Sequence, residues 1–308
     1  MTTEYLQLFI DNSGFKGYKI EHIRGAGSDR SFHRLTKESS SVVMMSGGGH
    51  GGSIEDWVEV QRFLHSLGFG VPKIFAYDIA IPAAIVEDLG ECRPPELYEY
   101  ELVVRELARL AVIAGENISK CPTVANRPFD FEAFRWESTY FTEQYLRGYR
   151  KLDESLINRL SEDFDRIAKY LSNLPKYFTH RDFQSTNVLL VDKCVRIIDF
   201  QSAHFGPAEY DLASMLWDPY ADIPADARVR LVEAYLDEFE GQAGKIDRKV
   251  FMENLETAAI SRLMQALGAF CFLSAIKGKL MFCAFISPAE KRLRGLLARN
   301  DFLRGLQI

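Results

Sequence analysis

The sequence is poor in cysteine and lacks any spacing typical of a zinc site. Its cysteines are widely separated, odd in number and never arranged as CxxC, which argues against a disulfide framework. We interpret them as small buried side chains of a protein in a reducing compartment, and we expect a cytoplasmic location. They are Cys92, Cys121, Cys194, Cys271 and Cys283.

The sequence also lacks an excess of basic residues and any long uncharged segment. Lys and Arg number 37 against 43 Asp and Glu, which gives a net charge of -6 and predicts no nucleic-acid partner. The longest stretch without Asp, Glu, Lys, Arg or His lies between Arg262 and Lys277 and is shorter than the about 20 residues of a membrane span. With Glu4 and no basic segment ahead of the first apolar residues, we expect neither a signal peptide nor a membrane partner.

What the sequence does contain is ordinary globular composition over 308 residues, with 47% hydrophobic and 26% charged residues. The first third predicts short strands and one helix, which begins after a Ser53 N-cap. The remainder predicts helices interrupted by one hairpin around Asp192 and Lys193. We therefore expect an α+β protein with a small β-rich N-terminal lobe, residues 1–90, and a larger, mainly helical C-terminal lobe, residues 91–308.

The candidate catalytic and metal-binding residues are concentrated around this hairpin. Asn187 and Asp199 stand at its two ends, so that pairing of its arms would bring an amide oxygen and a carboxylate together. Such oxygens suit Mg²⁺, which completes its coordination with phosphate and water. Asp182 precedes the hairpin on a loop, where a carboxylate can orient and deprotonate a hydroxyl. The three residues predict phosphoryl transfer.

The spacing His180-x-Asp182-x4-Asn187, followed by Asp199-Phe200, resembles the catalytic and metal-binding loops of the protein-kinase-like superfamily. The continuation over residues 206–213, GPAEYDLA, resembles the aminoglycoside phosphotransferase family within it. The resemblance implies a bilobal kinase-like fold, ATP and Mg²⁺ as cofactors, Asp182 as catalytic base or orienter, and Asn187 and Asp199 as metal ligands. It also implies that Asp211 braces the catalytic loop.

A peptide acceptor is disfavoured by the short segment that follows Asp199. Gln201 stands where protein kinases have glycine, and a helical pattern begins at Tyr210, which leaves too little chain for a peptide platform. We expect a small molecule with a hydroxyl acceptor instead. His180 is interpreted as a residue that holds the loop in place rather than as a proton carrier.

Two further segments are candidates for nucleotide binding under this resemblance. A glycine-rich turn joins two predicted strands and would cover phosphates with its backbone N–H groups, although a solvated turn is the alternative. A strand end would offer its backbone to adenine. The residues concerned are Gly25, Gly27, Ser28, Asp29, Arg30 and Ser31 in the turn and Glu87, Asp88 and Leu89 at the strand end.

One departure from the kinase pattern is a missing lysine on the third strand, where residues 42–46 read VVMMS. That lysine usually pairs with the α- and β-phosphates. Arg30, Arg34 and Lys37 are nearby cations that would replace it. The absence keeps open a second class of function, an inactive pseudokinase that only binds its ligand.

This strand without lysine resembles that of the bacterial N-acetylmuramate/N-acetylglucosamine anomeric kinases. The sequence resembles the same kinases in the segment SFHR at residues 31–34 and in the region 262–279. The resemblance implies an amino sugar whose C1 hydroxyl is the acceptor, with aminoglycosides, choline and other small metabolites as alternatives. Glu137 and Arg262 are candidate substrate contacts, with a surface or helix-pairing role as the alternative. An aromatic group is a candidate sugar platform or, alternatively, helix core. It comprises Phe131, Phe134, Trp136, Tyr140 and Phe141.

Overall fold

The computed structural model describes residues 3–23, 30–47, 52–90, 95–303 and 306. The strands in this part of the chain are β1 (Lys19–Ile23), β2 (Ser31–Lys37), β3 (Ser40–Ser46), β4 (Ile74–Asp78), β5 (Ala83–Glu87), β6 (Lys176–Thr179), β7 (Val188–Val191), β8 (Cys194–Ile197) and β9 (His204–Pro207). The α-helices are α1 (Thr3–Ile10), α2 (Ile54–Ser66), α3 (Tyr100–Arg109), α4 (Pro122–Ala125), α5 (Phe131–Phe141), α6 (Glu154–Ser172), α7 (Ala208–Leu216), α8 (Ala225–Ala243), α9 (Arg248–Cys271) and α10 (Ile286–Leu297).

Shorter helical turns accompany these elements. Turns of π-helix follow α1, α3, α5 and α9, at Asp11–Phe15, Leu110–Ala114, Thr142–Tyr149 and Phe272–Ile276. Turns of 3₁₀-helix occur at Leu97–Glu99, Ile118–Lys120, Ser185–Asn187, Phe200–Ser202 and Leu280–Phe285.

The chain divides into two compact units. The first consists of the described residues within Met1–Arg93 together with Asn187–Ser202, and the second of those within Pro94–Thr186 and Ala203–Ile308. The hairpin β7–β8 therefore belongs with the N-terminal strands, although it is far from them in sequence.

The first unit is built on an antiparallel sheet with the strand order β1-β2-β3-β5-β4. Period-two alternation directs Val42 and Met44 of β3 to one face, where they pack with Leu35 and Ile85 in a cluster that also includes Ile10 of α1. Helix α1 thus contributes to the core on this face of the sheet.

Helix α2 begins where the sequence predicts. The Ser53 hydroxyl accepts a hydrogen bond from the Asp56 amide, and the Asp56 carboxylate accepts one from the Ser53 amide, which forms a capping box. On its buried face, Trp57 stacks on Phe200 with ring centroids 5.2 Å apart. This contact holds the segment that follows the hairpin against α2.

The hairpin approaches the N-terminal strands at a glycine. The Ile197 amide donates to the Gly70 carbonyl oxygen at 2.8 Å. A Cβ atom at residue 70 would lie 2.2 Å from the Val195 carbonyl oxygen, so the approach requires glycine. Arg196 adds an ion pair to Glu87 at 2.5 Å.

The second unit is helical and surrounds α9, which is buried along most of its length. The continuous helix Arg248–Ile276 is long and apolar enough to cross a membrane by length and composition, but 67% of its apolar window is buried inside the protein. It has the properties of a core helix.

A two-stranded antiparallel sheet, β6 with β9, is inserted among these helices. Its register pairs Thr179 with His204, so β6 ends immediately before the loop that begins at His180. Gly206 packs directly against Phe129, where a Cβ atom would lie 2.6 Å from the Phe129 Cβ. The sheet fixes the starting point of the loop.

The predicted α+β class, with a β-rich N-terminal part and a mainly helical remainder, is confirmed. The division at residues 90 and 91 stays a prediction. Helix α1 and the pairing of β6 with β9 were not predicted. Gly25, Gly27, Ser28 and Asp29 of the predicted phosphate-binding turn lie outside the described residues.

Candidate active site

The loop that follows β6 is held by a buried carboxylate. Asp211, near the N-terminus of α7, accepts hydrogen bonds from the amides of His180 at 2.5 Å and Arg181 at 2.8 Å. Arg181 has a φ of 75°, a left-handed conformation that needs such support. Burial raises the pKa of Asp211 to about 7, although the two amides oppose this rise. These contacts favour the supporting role predicted for Asp211.

His180 is fully buried beside Asp211 and acts within the same loop. Its Nδ1 atom accepts a hydrogen bond from the Asp182 amide at 3.3 Å. Its ring meets Phe183 edge-on, with centroids 5.6 Å apart. The imidazole therefore fixes the backbone on both sides of Arg181, which fits a residue that holds the loop in place.

A second buried carboxylate, which sequence reasoning missed, fixes the far end of the loop. Asp218 accepts hydrogen bonds from the amides of Ser185 at 2.7 Å and Tyr220 at 2.9 Å. Burial raises the pKa of Asp218. Together with Asp211, it leaves little freedom to the backbone around Asp182.

Asp182 itself is partly open to solvent. Its side chain is 38% exposed, and its Oδ1 accepts a hydrogen bond from Arg262 Nη2 at 2.7 Å. The carboxylate is therefore accessible, and it sits on a braced loop with a buried cation beside it. That combination suits a group that must orient a substrate hydroxyl.

The structure places the candidate substrate residue Glu137 in a buried network. Its carboxylate accepts hydrogen bonds from Arg181 Nη2 at 3.0 Å and from the Tyr210 hydroxyl at 2.8 Å. Only 1% of Glu137 is exposed, and burial raises its pKa against the opposing charge of Arg181. In this structure Glu137 holds Arg181, the neighbour of Asp182.

Arg262, the other candidate substrate residue, is also buried and bonded to protein groups. Besides Asp182, its Nη2 reaches Gln184 Oε1 at 3.2 Å, and its Nε donates to Ser214 Oγ at 3.0 Å. Its Nη1 donates to Gln265 Oε1. Its predicted contact with substrate stays a prediction, whereas its contact with Asp182 is observed.

The predicted aromatic group divides between core and surface. Phe134 and Phe141 are buried, whereas Trp136 is 55% exposed. The Trp136 ring stacks on half-buried Tyr140, with ring centroids 5.3 Å apart and an angle of 9° between the ring planes. The Arg181 guanidinium lies 5.8 Å from the Trp136 ring centroid. The exposed pair is thus connected through Arg181 to the loop that carries Asp182.

In the first unit, the hairpin brings Asn187 close to Asp199 along the backbone. The Ile198 amide donates to the Asn187 carbonyl oxygen at 3.0 Å, which extends the β7–β8 ladder by one pair. Asp199 follows directly, with a φ of 65°, and its Oδ1 accepts a hydrogen bond from Gln201 Nε2 at 2.5 Å. Aspartate is one of the non-glycine residues that adopt this conformation most readily.

These two side chains fit a magnesium ion by the chemistry of their donors. One amide oxygen and one carboxylate are hard ligands, and Mg²⁺ bound to a nucleotide takes its remaining ligands from phosphate and water. Within the described residues no group of three or more His, Cys, Asp and Glu side chains could hold a metal ion. The donor set therefore suits a metal that arrives with phosphates rather than a closed protein site.

Arg30 is the cation that the structure places near Asp199. Its Nη2 donates to the Gly52 carbonyl oxygen at 2.9 Å, and it is 8% exposed. Burial lowers the pKa of Arg30, while the charges of Asp199 and Asp56 oppose this lowering. Arg34, by contrast, forms an ion pair with Asp88 at 2.7 Å. Of the predicted replacements for the missing lysine, Arg30 has the electrostatic contact with Asp199.

The predicted adenine segment is the end of β5. The Glu87 side chain is engaged by Arg196 and the Lys73 amide, and Asp88 by Arg34, Ser41 and the Gly90 amide. Within the described part of the chain, the backbone of Leu89 makes no hydrogen bond. If adenine binds at this segment, the Leu89 backbone offers the available donor and acceptor.

Comparison with known proteins finds relatives that cover most of the chain. The N-acetylmuramate/N-acetylglucosamine kinase of Pseudomonas aeruginosa is 25% identical over 297 residues, which cover 91% of this chain and 85% of the relative.

Solved structures with the same fold include choline kinase from Cryptosporidium parvum Iowa II, with a TM-score of 0.70 and 15% identity over 96% of this chain and 95% of that one. An ADP-bound aminoglycoside phosphotransferase gives a TM-score of 0.63 and 13% identity over 96% and 99%. The sequence itself matches the phosphotransferase enzyme family over residues 19–245, a span that includes Asp182, Asn187 and Asp199. By the extent of this match, the chain belongs to the phosphotransferase enzyme family.

Proposed function

We propose that this protein is a small-molecule kinase that transfers the terminal phosphoryl group of Mg-ATP to a hydroxyl of an amino sugar. The observation that carries the proposal is the accessible carboxylate of Asp182 on a loop whose backbone is fixed by Asp211, His180 and Asp218. Phosphoryl transfer depends mainly on positioning and electrostatics, so a rigid, accessible carboxylate is what the reaction requires.

Each proposed role belongs to a named side chain. Asp182 accepts the hydrogen of the acceptor hydroxyl, orients its oxygen toward the phosphorus and takes the proton as the new O–P bond forms. Asn187 and Asp199 would hold the magnesium ion, which when bound neutralises charge on the phosphates. Arg30 adds positive charge near Asp199 in place of the missing strand lysine.

Nucleotide binding is assigned to two segments of the first unit. The backbone of residues 87–89 would pair with adenine, and within the described residues that of Leu89 makes no hydrogen bond. The turn at residues 25–31 would cover the phosphates. The AMP-bound and ADP-bound structures among proteins with this fold support the use of a nucleotide.

An amino sugar is the acceptor we favour, phosphorylated at its anomeric hydroxyl as in N-acetylmuramate or N-acetylglucosamine. The name of the Pseudomonas aeruginosa relative supports this choice. The exposed Trp136, stacked on half-buried Tyr140, supports it as well, because aromatic faces pack against the C–H face of a sugar ring.

A cationic acceptor such as choline or an aminoglycoside is the alternative, and the position of Arg181 disfavours it at this platform. The Arg181 guanidinium already lies over the Trp136 ring at 5.8 Å. This guanidinium already takes up part of the cation–π attraction of the ring, so less of it remains for a quaternary ammonium group. A neutral or acidic sugar does not depend on that attraction.

We also propose a cytoplasmic location, where ATP is available. The cysteines of the sequence are few, widely separated and without CxxC spacing, which suits a reducing compartment. Cys194 and Cys283 are exposed, not buried as predicted.

The proposal is tested by a screen for acceptor-dependent ADP release from Mg-ATP. Acceptors are N-acetylglucosamine, N-acetylmuramate, kanamycin, choline and ethanolamine, with the Asp182→Asn variant as control. We expect release with an amino sugar and a loss of about 10²- to 10⁴-fold in turnover in the variant. ADP release with a cationic acceptor alone would show that this acceptor, and not an amino sugar, is the substrate.

The same experiment addresses the pseudokinase alternative. A catalytically inactive binding protein would release no ADP with any acceptor and, if it binds nucleotide, would still be stabilised by it. A thermal-shift titration with Mg-ATP therefore accompanies the screen. Equal turnover by the wild type and Asp182→Asn would overturn the assignment of Asp182.

A further inference from the structure

Arg262 lies in the middle of α9 and reaches the loop that carries Asp182. It is 7% exposed, and Nη2 donates to Asp182 Oδ1 at 2.7 Å and to Gln184 Oε1 at 3.2 Å. It thus contacts two side chains of the loop from a core helix.

The orientation of this guanidinium is fixed by groups outside the loop. Nε donates to Ser214 Oγ on α7 at 3.0 Å, and Nη1 donates to Gln265 one turn along α9. A guanidinium is planar and rigid, so fixing Nε and Nη1 also fixes the direction in which Nη2 points. The position of the Asp182 carboxylate is therefore set, through Arg262, by the helices α7 and α9.

The electrostatic surroundings keep this ion pair in place. Burial alone would lower the pKa of Arg262, but the negative charges of Asp182, Glu137 and Asp218, together with Tyr210, outweigh burial and raise it. A cation buried among carboxylates stays charged, and breaking its pair with Asp182 would leave it poorly compensated.

We propose that Arg262 is a positioning residue for catalysis, which holds the Asp182 carboxylate in the orientation required by the acceptor hydroxyl. The inference rests on the proposed function of Asp182 and replaces the earlier expectation that Arg262 binds substrate. Because Arg262 acts through Asp182, its effect should appear in turnover and not in the affinity for acceptor or nucleotide.

The test compares Arg262→Gln, Asp182→Asn and the double variant in steady-state ADP release, with N-acetylglucosamine as acceptor. We expect Arg262→Gln to lower kcat by about 10- to 100-fold, as misplacement of a catalytic group does, with the acceptor KM changed less than about threefold. In the Asp182→Asn background, the same substitution should have no further effect, because both changes remove one interacting unit.

Arg150→Gln is the matched control. Arg150 is a partly buried arginine whose Nη1 donates to the Tyr145 hydroxyl at 3.2 Å and lies 3.8 Å from Glu290 Oε1. Its loss should lower thermal stability and leave kcat near that of the wild type. A fall in kcat of equal size in both arginine variants would show a merely structural role and overturn the proposal.

Arg262→Lys keeps the test decisive if Arg262→Gln does not fold. Lysine retains the charge beside Asp182 but cannot donate to Ser214 and Gln265 together, so kcat should lie between wild type and the level of Asp182→Asn, with an unchanged thermal shift on adding Mg-ATP. A raised acceptor KM at unchanged kcat would assign Arg262 to substrate binding and overturn the positioning role alone. A wild-type enzyme with no acceptor-dependent release would overturn the proposed function and this inference together.

Discussion

Asp199 holds a left-handed backbone conformation, with a φ of 65°, beside the hairpin end occupied by Asn187. Asparagine adopts this conformation as readily as aspartate, so Asp199→Asn should preserve the fold and remove only the charge. We expect the apparent Kd for Mg-ATP, measured by thermal-shift titration at fixed magnesium, to rise about tenfold or more, because one anionic ligand of the metal is lost.

Asp192→Asn is the matched control for that experiment. Asp192 lies in the turn of the same hairpin, is exposed and has a φ of 50°. This variant should bind Mg-ATP as the wild type does. If Asp199→Asn also retained wild-type affinity, the metal assignment of Asp199 would be wrong.

Asp211 gives the protein a specific dependence of stability on pH. Its pKa is about 7 in the folded protein because it is buried, against 3.8 for an ordinary aspartate. The folded state retains a proton that the unfolded state releases, so this group's stabilising contribution is complete below pH 3.8 and is lost as pH rises through 7. Relative to Asp211→Asn, the wild type should lose up to about 1.4 kcal/mol of unfolding free energy per pH unit between pH 5 and 7.

Urea unfolding of both proteins at pH 5, 6, 7 and 8 measures this difference. Asp226→Asn, an exposed aspartate paired with Arg230, is the control and should run parallel to the wild type above pH 5. Parallel curves for the wild type and Asp211→Asn would show that Asp211 does not take up a proton on folding in this range.

At the residue scale, the sequence predicts the chemistry of the loop but not the partners of its members. Glu137 shares one face of α5 with Phe134, Ser138 and Phe141, all of them buried at helical spacing. A glutamate on an apolar face predicts a buried partner, so this role was available from periodicity. The pairing of Arg262 with Asp182 was not available from the sequence, because the two residues are far apart in the chain and only the packing of α9 brings them together.

At the scale of elements, the contact between the hairpin and the loop before β4 depends on the absence of a side chain at residue 70. Gly70→Ala would place a Cβ atom 2.2 Å from the Val195 carbonyl oxygen, which is backbone and cannot rotate away. We expect this substitution to destabilise the protein by about 1–3 kcal/mol or more through overpacking, observed as a lower Tm.

Gly241→Ala provides the contrast within the same protein. Gly241 lies in α8, and a Cβ atom there would have no neighbour within 4 Å. Alanine in an open helical position should stabilise by about 0.5–1 kcal/mol. If both substitutions moved Tm in the same direction, the close approach at Gly70 would not be the determining contact.

The elements that sequence predicted are those with local signals. Helix α2 has its capping box at Ser53, and the hairpin β7–β8 has a polar turn at Asp192 and Lys193. The pairing of β6 with β9 has no local signal, because each strand has four residues and its partner lies more than 20 residues away. Short non-local strands are decided by tertiary contacts, here with Phe129.

At the scale of the whole molecule, the proposed roles are distributed over both units. Asp182 and its braces belong to the second unit, whereas Asn187, Asp199, Arg30 and Leu89 belong to the first. The family match over residues 19–245 spans both groups of residues. Under the proposed function, a single activity uses all of them. The most direct test of that activity is to identify the covalent bond that the protein forms.

Phosphorus NMR detects this bond in a reaction that contains the protein, Mg-ATP and either N-acetylglucosamine or N-acetylmuramate. For the proposed activity, we expect one new phosphate monoester on the anomeric carbon for each ADP formed, and formation about 10²- to 10⁴-fold slower with Asp182→Asn. Formation of ADP with inorganic phosphate alone, or no change in the ATP signals with any acceptor of the screen, would contradict it.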